Sequence, residues 1–129
     1  MRLPVPGQNL VGLKSAEIKT YMTENQKDMI PENVINDKYS YLKYTDNYSS
    51  RTLLFFLDKD SVCKSIRMIC ELTARKDKIN ELNGIYEKKG ENRWVDSSNG
   101  KDVIIELKDD KWSFTISYEP LNKAESGSN

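Results

Sequence analysis

Cys63 and Cys70 are the two thiols of this 129-residue chain. A thiolate is the strongest nucleophile such a sequence could offer. The two stand seven apart on what reads as one continuous strand. There they point to opposite faces, about 23 Å apart at ~3.3 Å per residue. A disulfide needs Cα atoms within about 7 Å, so two free thiols are expected. Cys70, in phase with Ile66 and Met68, reads as buried. Cys63, in phase with Ser65 and Arg67, reads as the more accessible. Nucleophilic or redox work by either is disfavoured, because the chain contains no histidine to activate it.

The same absence removes the Ser-His pair and the commonest metal ligand. Two cysteines cannot build a four-cysteine zinc site. Asp58 and Asp60, with Asp109 and Asp110, would suit calcium or paired-carboxylate chemistry. Their spacing lacks the third ligand, glycine and distal glutamate of a calcium loop, and turn chemistry explains them better. No catalytic constellation, metal site or cofactor site is read from the sequence, and the expectation is a protein that is not an enzyme.

Aromatic residues offer a different chemistry. Tyr39, Tyr41, Tyr44 and Tyr48 crowd one short strand and its turn. Half-exposed tyrosines suit protein interfaces, since they bring contact area with few rotamers to freeze. The alternative is that they cover a sheet edge or cap the core with their hydroxyls in water. Trp94 is a further candidate for the binding surface, although both it and Trp112 are expected nearer the core, Trp112 in a dry stripe with Phe114.

Elements must position these groups, and the composition fits one globular domain. Twenty basic and twenty acidic residues cancel, so no basic stripe marks a nucleic-acid or lipid surface. No run approaches the ~18 apolar residues of a membrane span. Residues 1–12, with Pro4, Pro6, Gly7 and Gly12, read as an extended lead; 13–120 as the domain; 121–129 as a flexible tail. The start lacks the basic head and apolar run of a signal peptide. That leaves a cytoplasmic protein or an exported one whose signal has been removed.

Within 14–27, Ile18, Tyr21 and Met22 share a helical face. Residues 28–37 read as a loop around Pro31. Strands are expected at 38–45, at 51–57 (an apolar run suggesting burial on both faces or a central position) and at 62–71. A second helix is expected from Thr73 to Lys89 on Ile79, Leu82, Ile85 and Tyr86, ended by Gly90. Gly84 weakens its middle. Strands at 92–96, 102–107 and 111–119 follow, the first two joined through Asn99-Gly100. The expected fold is α+β in the order α-βββ-α-βββ. Two helices pack on one face of an antiparallel sheet of about six strands. A shift of fifty lays 51–68 on 101–118 without a gap. This is either an internal duplication or two amphipathic hairpins of like design.

The run Gly12-Leu13-Lys14-Ser15-Ala16-Glu17-Ile18, then an aromatic strand and Phe55-Phe56-Leu57-Asp58 leading to Val62, resembles the opening of the SmpA/OmlA outer-membrane lipoprotein domain. The match covers about residues 12–70. The family's Gly-x-Pro after the helix is absent, Pro31 standing nearest, and no cysteine opens the chain. The doubled unit resembles the β-lactamase-inhibitor-protein architecture, and the chain also resembles small exported proteins of Bacteroidota. The first two resemblances imply an exported protein, periplasmic or in the cell envelope, that binds another protein through a sheet face and loops; the third implies export but no activity, and a monomer or weak dimer is expected. The competing readings are a cytoplasmic chaperone of the type III secretion kind, which would carry a third helix after residue 120, and a small enzyme using carboxylates or lysine.

Overall fold

A computed structural model describes residues 10–32, 40–46, 51–97 and 102–121 of the chain. Helix α1 (Ser15–Asn25) forms where the apolar spacing predicts it, and Ile18, Tyr21 and Met22 are all buried. At its start the Glu17 carboxylate accepts the Lys14 backbone N–H at 2.9 Å, a device that fixes where a helix begins. Four strands follow: β1 (Ile30–Glu32), β2 (Ser40–Asp46), β3 (Arg51–Leu57) and β4 (Cys63–Glu71). A 3₁₀ turn (Leu72–Ala74) leads into α2 (Arg75–Ile85), then β5 (Glu87–Gly90), β6 (Arg93–Asp96), β7 (Val103–Asp109) and β8 (Ser113–Pro120).

The expected α+β class holds, with an antiparallel sheet, but among the described residues the strands number eight, not about six. The sheet is open, in the order β1-β2-β3-β4-β8-β7-β6-β5. Its two extra strands are its edges. β1 lies within the expected loop, and its Pro31 faces Tyr44 of β2; a proline lacks the donor that a central strand needs. β5 occupies the expected end of the second helix. That helix stops at Ile85 because Tyr86 turns inward, its ring 6.5 Å from that of Tyr118. Gly90 is therefore a residue of β5 and not a helix cap.

Both helices cover one face of the sheet. α1 and the sheet enclose a cavity of about 30 Å³ among Tyr21, Met22, Leu53, Phe55, Met68 and Tyr118, room for one or two waters at most. α2 is fastened by Tyr86 and by Asn83, whose Oδ1 accepts the Trp94 Nε1–H at 2.8 Å. Phe114, Ile116 and Tyr118 point inward as their alternation predicts. The packed unit begins ahead of residue 13: Leu10 is buried, and the Gly12 N–H donates to the Cys63 carbonyl at 2.8 Å.

Two expectations about the core are overturned. Trp112 is 80% exposed and outside the dry stripe. The Asp110 N–H bonds the Ser113 carbonyl at 2.8 Å, which closes the β7–β8 turn one residue past Trp112. Cys63 is buried like Cys70. The register slips between Phe56 and Leu57, so that Phe56 faces Ser65 while Leu57 faces Cys63. That one-residue bulge rotates Cys63 to the inner face. Of the two readings of the β3 run the central position holds, since β3 lies between β2 and β4, with Leu53 and Phe55 buried and Leu54 and Phe56 on the other face.

The register carries a pseudo-twofold symmetry about the β4–β8 junction. Ile66 pairs with Tyr118 and Met68 with Ile116, and adding fifty to one member gives the other pair's. The same shift takes Tyr44 to Trp94 and Asp46 to Asp96, all four buried. Between β3 and β7 the shift is fifty-two: Tyr44 faces Leu53 as Trp94 faces Ile105. The ungapped fifty-residue alignment therefore misplaces β3 by two residues, because the β7–β8 turn is the tighter one.

Candidate binding face

The second face of the sheet carries no described element. Its side chains alternate with the core residues and point away from the helices. On the β2–β4 half, Tyr41 and Phe56 are direct cross-strand partners with ring centroids 6.0 Å apart. The Arg67 guanidinium lies 5.7 Å from the Phe56 ring centre. Leu54 faces Arg67, and Ile69 faces Thr52. Next to them β8 offers Ser113, Thr115 and Ser117, short hydroxyl side chains that leave the rings and the guanidinium standing proud. At the edge Lys43 is paired with Glu32 at 3.0 Å. On the β5–β7 half, Val95 and Ile104 floor an open groove of about 330 Å³ between Glu87, Arg93, Asp102 and Leu121.

The structure divides the sequence-predicted binding residues. Tyr41 lies half-buried on the open face. Tyr44 is on the opposite face, buried and edge-on to Phe55 at 5.9 Å. Trp94 is fully buried. Neither Tyr44 nor Trp94 is surface. A strand alternates faces, so residues 41 and 44 cannot share one. Tyr39 and Tyr48, and the Asn99-Gly100 hairpin signal, lie outside the described residues. Phe56, Arg67, Leu54 and Ile69 are members of the open face that the sequence reading did not select. The signal for them is the unbroken apolar run of β3, which in a sheet covered on one side leaves every second residue facing out.

Reactive groups are concentrated inside, where burial quenches them. Burial pushes the Cys63 thiol up to about 12, opposed by its hydrogen bond at Ser65 (3.4 Å) and reinforced by the nearby Asp58 carboxylate. Cys70 is raised by burial, partly offset by Lys78 and Arg51. Neither thiol is a nucleophile near neutral pH. Both should therefore resist Ellman's reagent in the native protein at pH 8 and react fully in guanidinium; rapid titration of either without denaturant would show that the bulge at Cys63 does not seal it. The Asp58 carboxylate accepts the backbone N–H groups of Asp60 at 2.8 Å and Val62 at 3.0 Å, which is turn chemistry. Among the described residues no group of three potential ligands could hold a metal ion. Among the described residues no helix is long and apolar enough to cross a membrane.

What the geometry defines is a class: an α+β protein with an eight-stranded antiparallel sheet, helices on one face and no described element on the other. Compared with family models, curated proteins and solved structures, the chain matches none.

Proposed function

We propose that this protein is a binding module whose partner is another protein docked on the open sheet face. The observation that carries the reading is the Tyr41–Phe56–Arg67 cluster. It sets two aromatic rings and a cation on adjacent strands, with Leu54 opposite Arg67 and the short hydroxyl side chains of β8 on the far side. Tyrosine and arginine are the residue types that most often dominate interface energetics. The sheet edges favour the face over strand addition, since β1 carries Pro31 and β5 is Glu-Lys-Lys-Gly. Export to the periplasm or envelope follows from the resemblances named above. The pseudo-symmetric register supports duplication of an α-ββββ unit as the origin of the fold.

The test is affinity capture from envelope fractions of the source cells, comparing the native chain with Tyr41→Ala and Phe56→Ala. Each variant should lose at least about tenfold in recovery of a stoichiometric partner, with stability lowered by no more than about 1 kcal/mol. Undiminished recovery by both variants would refute the assignment of this face.

A further inference from the structure

Tyr21 is the buried tyrosine of α1, 1% exposed. Its hydroxyl is sealed from solvent, and no described group makes a hydrogen bond to it. Burial pushes its ionisation up to about 12, so at neutral pH it is a phenol that can both donate and accept. A core hydroxyl left unanswered weakens folding by roughly a factor of five to a hundred. Phenylalanine would place the same ring without that loss, so the hydroxyl calls for a partner.

Under α2 the protein itself answers such a group, the buried Trp94 Nε1–H donating to Asn83. Under α1 the Asn25 amide is turned to the helix backbone instead, donating to the Tyr21 carbonyl at 3.1 Å. What Tyr21 borders is the cavity of about 30 Å³ between α1 and the sheet. A water takes roughly 10–15 Å³ of such a space and needs about two to four polar partners. Most of the wall is apolar, but Gln26, Arg51 and Tyr118 line it too. Gln26 brings a side-chain amide, Tyr118 a second phenol and Arg51 its guanidinium N–H groups.

We propose that this cavity is an internal hydration site, in which one ordered water bonds the Tyr21 hydroxyl and links it to the polar groups of Gln26, Arg51 or Tyr118. The water fastens the last turns of α1 to the sheet, as Asn83 fastens α2 to Trp94. The volume excludes a larger ligand. An anion is disfavoured by charge, because Asp46 already pairs with Arg51 at 3.1 Å. The site lies on the covered face and shares no residue with the open-face cluster, so either assignment can fail without the other.

The test is the oxygen-17 relaxation dispersion of water in solutions of the full chain, native and Tyr21→Phe. It counts waters held inside a protein for longer than the molecule takes to tumble, and hydroxyl proton exchange does not enter it. Tyr21→Phe keeps the ring and should fold. The expected result is an amplitude lower by about one water in the variant, with the unfolding constant in urea unchanged or raised by up to about tenfold. Equal amplitudes would overturn the proposal whatever the stability. So would a variant more stable than the native protein, since the hydroxyl would then have been buried without a partner.

Discussion

Replacing Trp94 by alanine should destabilise the protein by about 3–5 kcal/mol, the usual cost of deleting a buried large aromatic. That is a large share of the roughly 5–15 kcal/mol that holds a domain together. Trp94 is fully buried on the covered face, between Ile105 of β7 and Lys88 of β5 in register. Its indole Nε1–H donates to Asn83 on the last turn of α2. The ring therefore fills the core and fixes the helix at once. Two milder variants separate these roles. Asn83→Ala keeps the ring but strands the buried indole donor, at a cost of about 1–3 kcal/mol. Trp94→Phe keeps most of the volume and leaves the exposed Asn83 amide to water, so its loss comes from the packing defect. Urea denaturation of the three variants gives the comparison. A loss below about 1 kcal/mol for Trp94→Ala would mean that α2 does not sit on the sheet as described.

Trp94 also shows what the sequence could and could not reveal. The inward stripe of Phe114, Ile116 and Tyr118 is legible because one face of a half-covered strand must be apolar and its side chains alternate. Trp112 continues that alternation on paper. The turn closes before it, and periodicity alone does not say where a strand starts. Simple alternation puts Cys63 on the wrong face for a related reason: a bulge adds one residue and inverts the phase of everything beyond it. β1 and β5 are three and four residues long and carry no buried residue, so no apolar pattern announces them; backbone pairing with a neighbour makes them strands. The open face was half legible. Parity already separates Tyr41 from Tyr44, and the run through Leu54 and Phe56 implies outward apolar residues once helices are known to cover a single face. Arg67 joins that cluster only through the pairing of β3 with β4, a long-range fact that no local pattern contains.

Alkaline pH should unfold the protein well before neutral conditions stress it. Burial raises Cys63 from 9.0 to about 12 and Tyr21 from 10.0 to about 12. Tyr118 is raised well above its ordinary value, chiefly by burial. Each group is neutral when protonated, and its folded-state value lies above its unfolded one. The stabilisation is therefore complete below about pH 9 and is lost as pH climbs toward the folded values. Each pH unit within that window removes roughly 1.4 kcal/mol per group. At pH 11 Cys63 alone contributes a loss of about 3 kcal/mol and Tyr21 about 1 kcal/mol more. Melting temperature should be flat from pH 7 to about 9 and then fall steeply, with tyrosinate absorbance at the transition rising together with loss of helix signal. Cys63→Ala begins from a lower stability because of its cavity, but its curve should stay flat further into the alkaline range. Cys70 and the tyrosines then supply what slope remains. A native chain that melts at the same temperature at pH 8 and pH 11 would mean that Cys63 and Tyr21 exchange protons with solvent freely, and that the core seen between α1 and β4 is open.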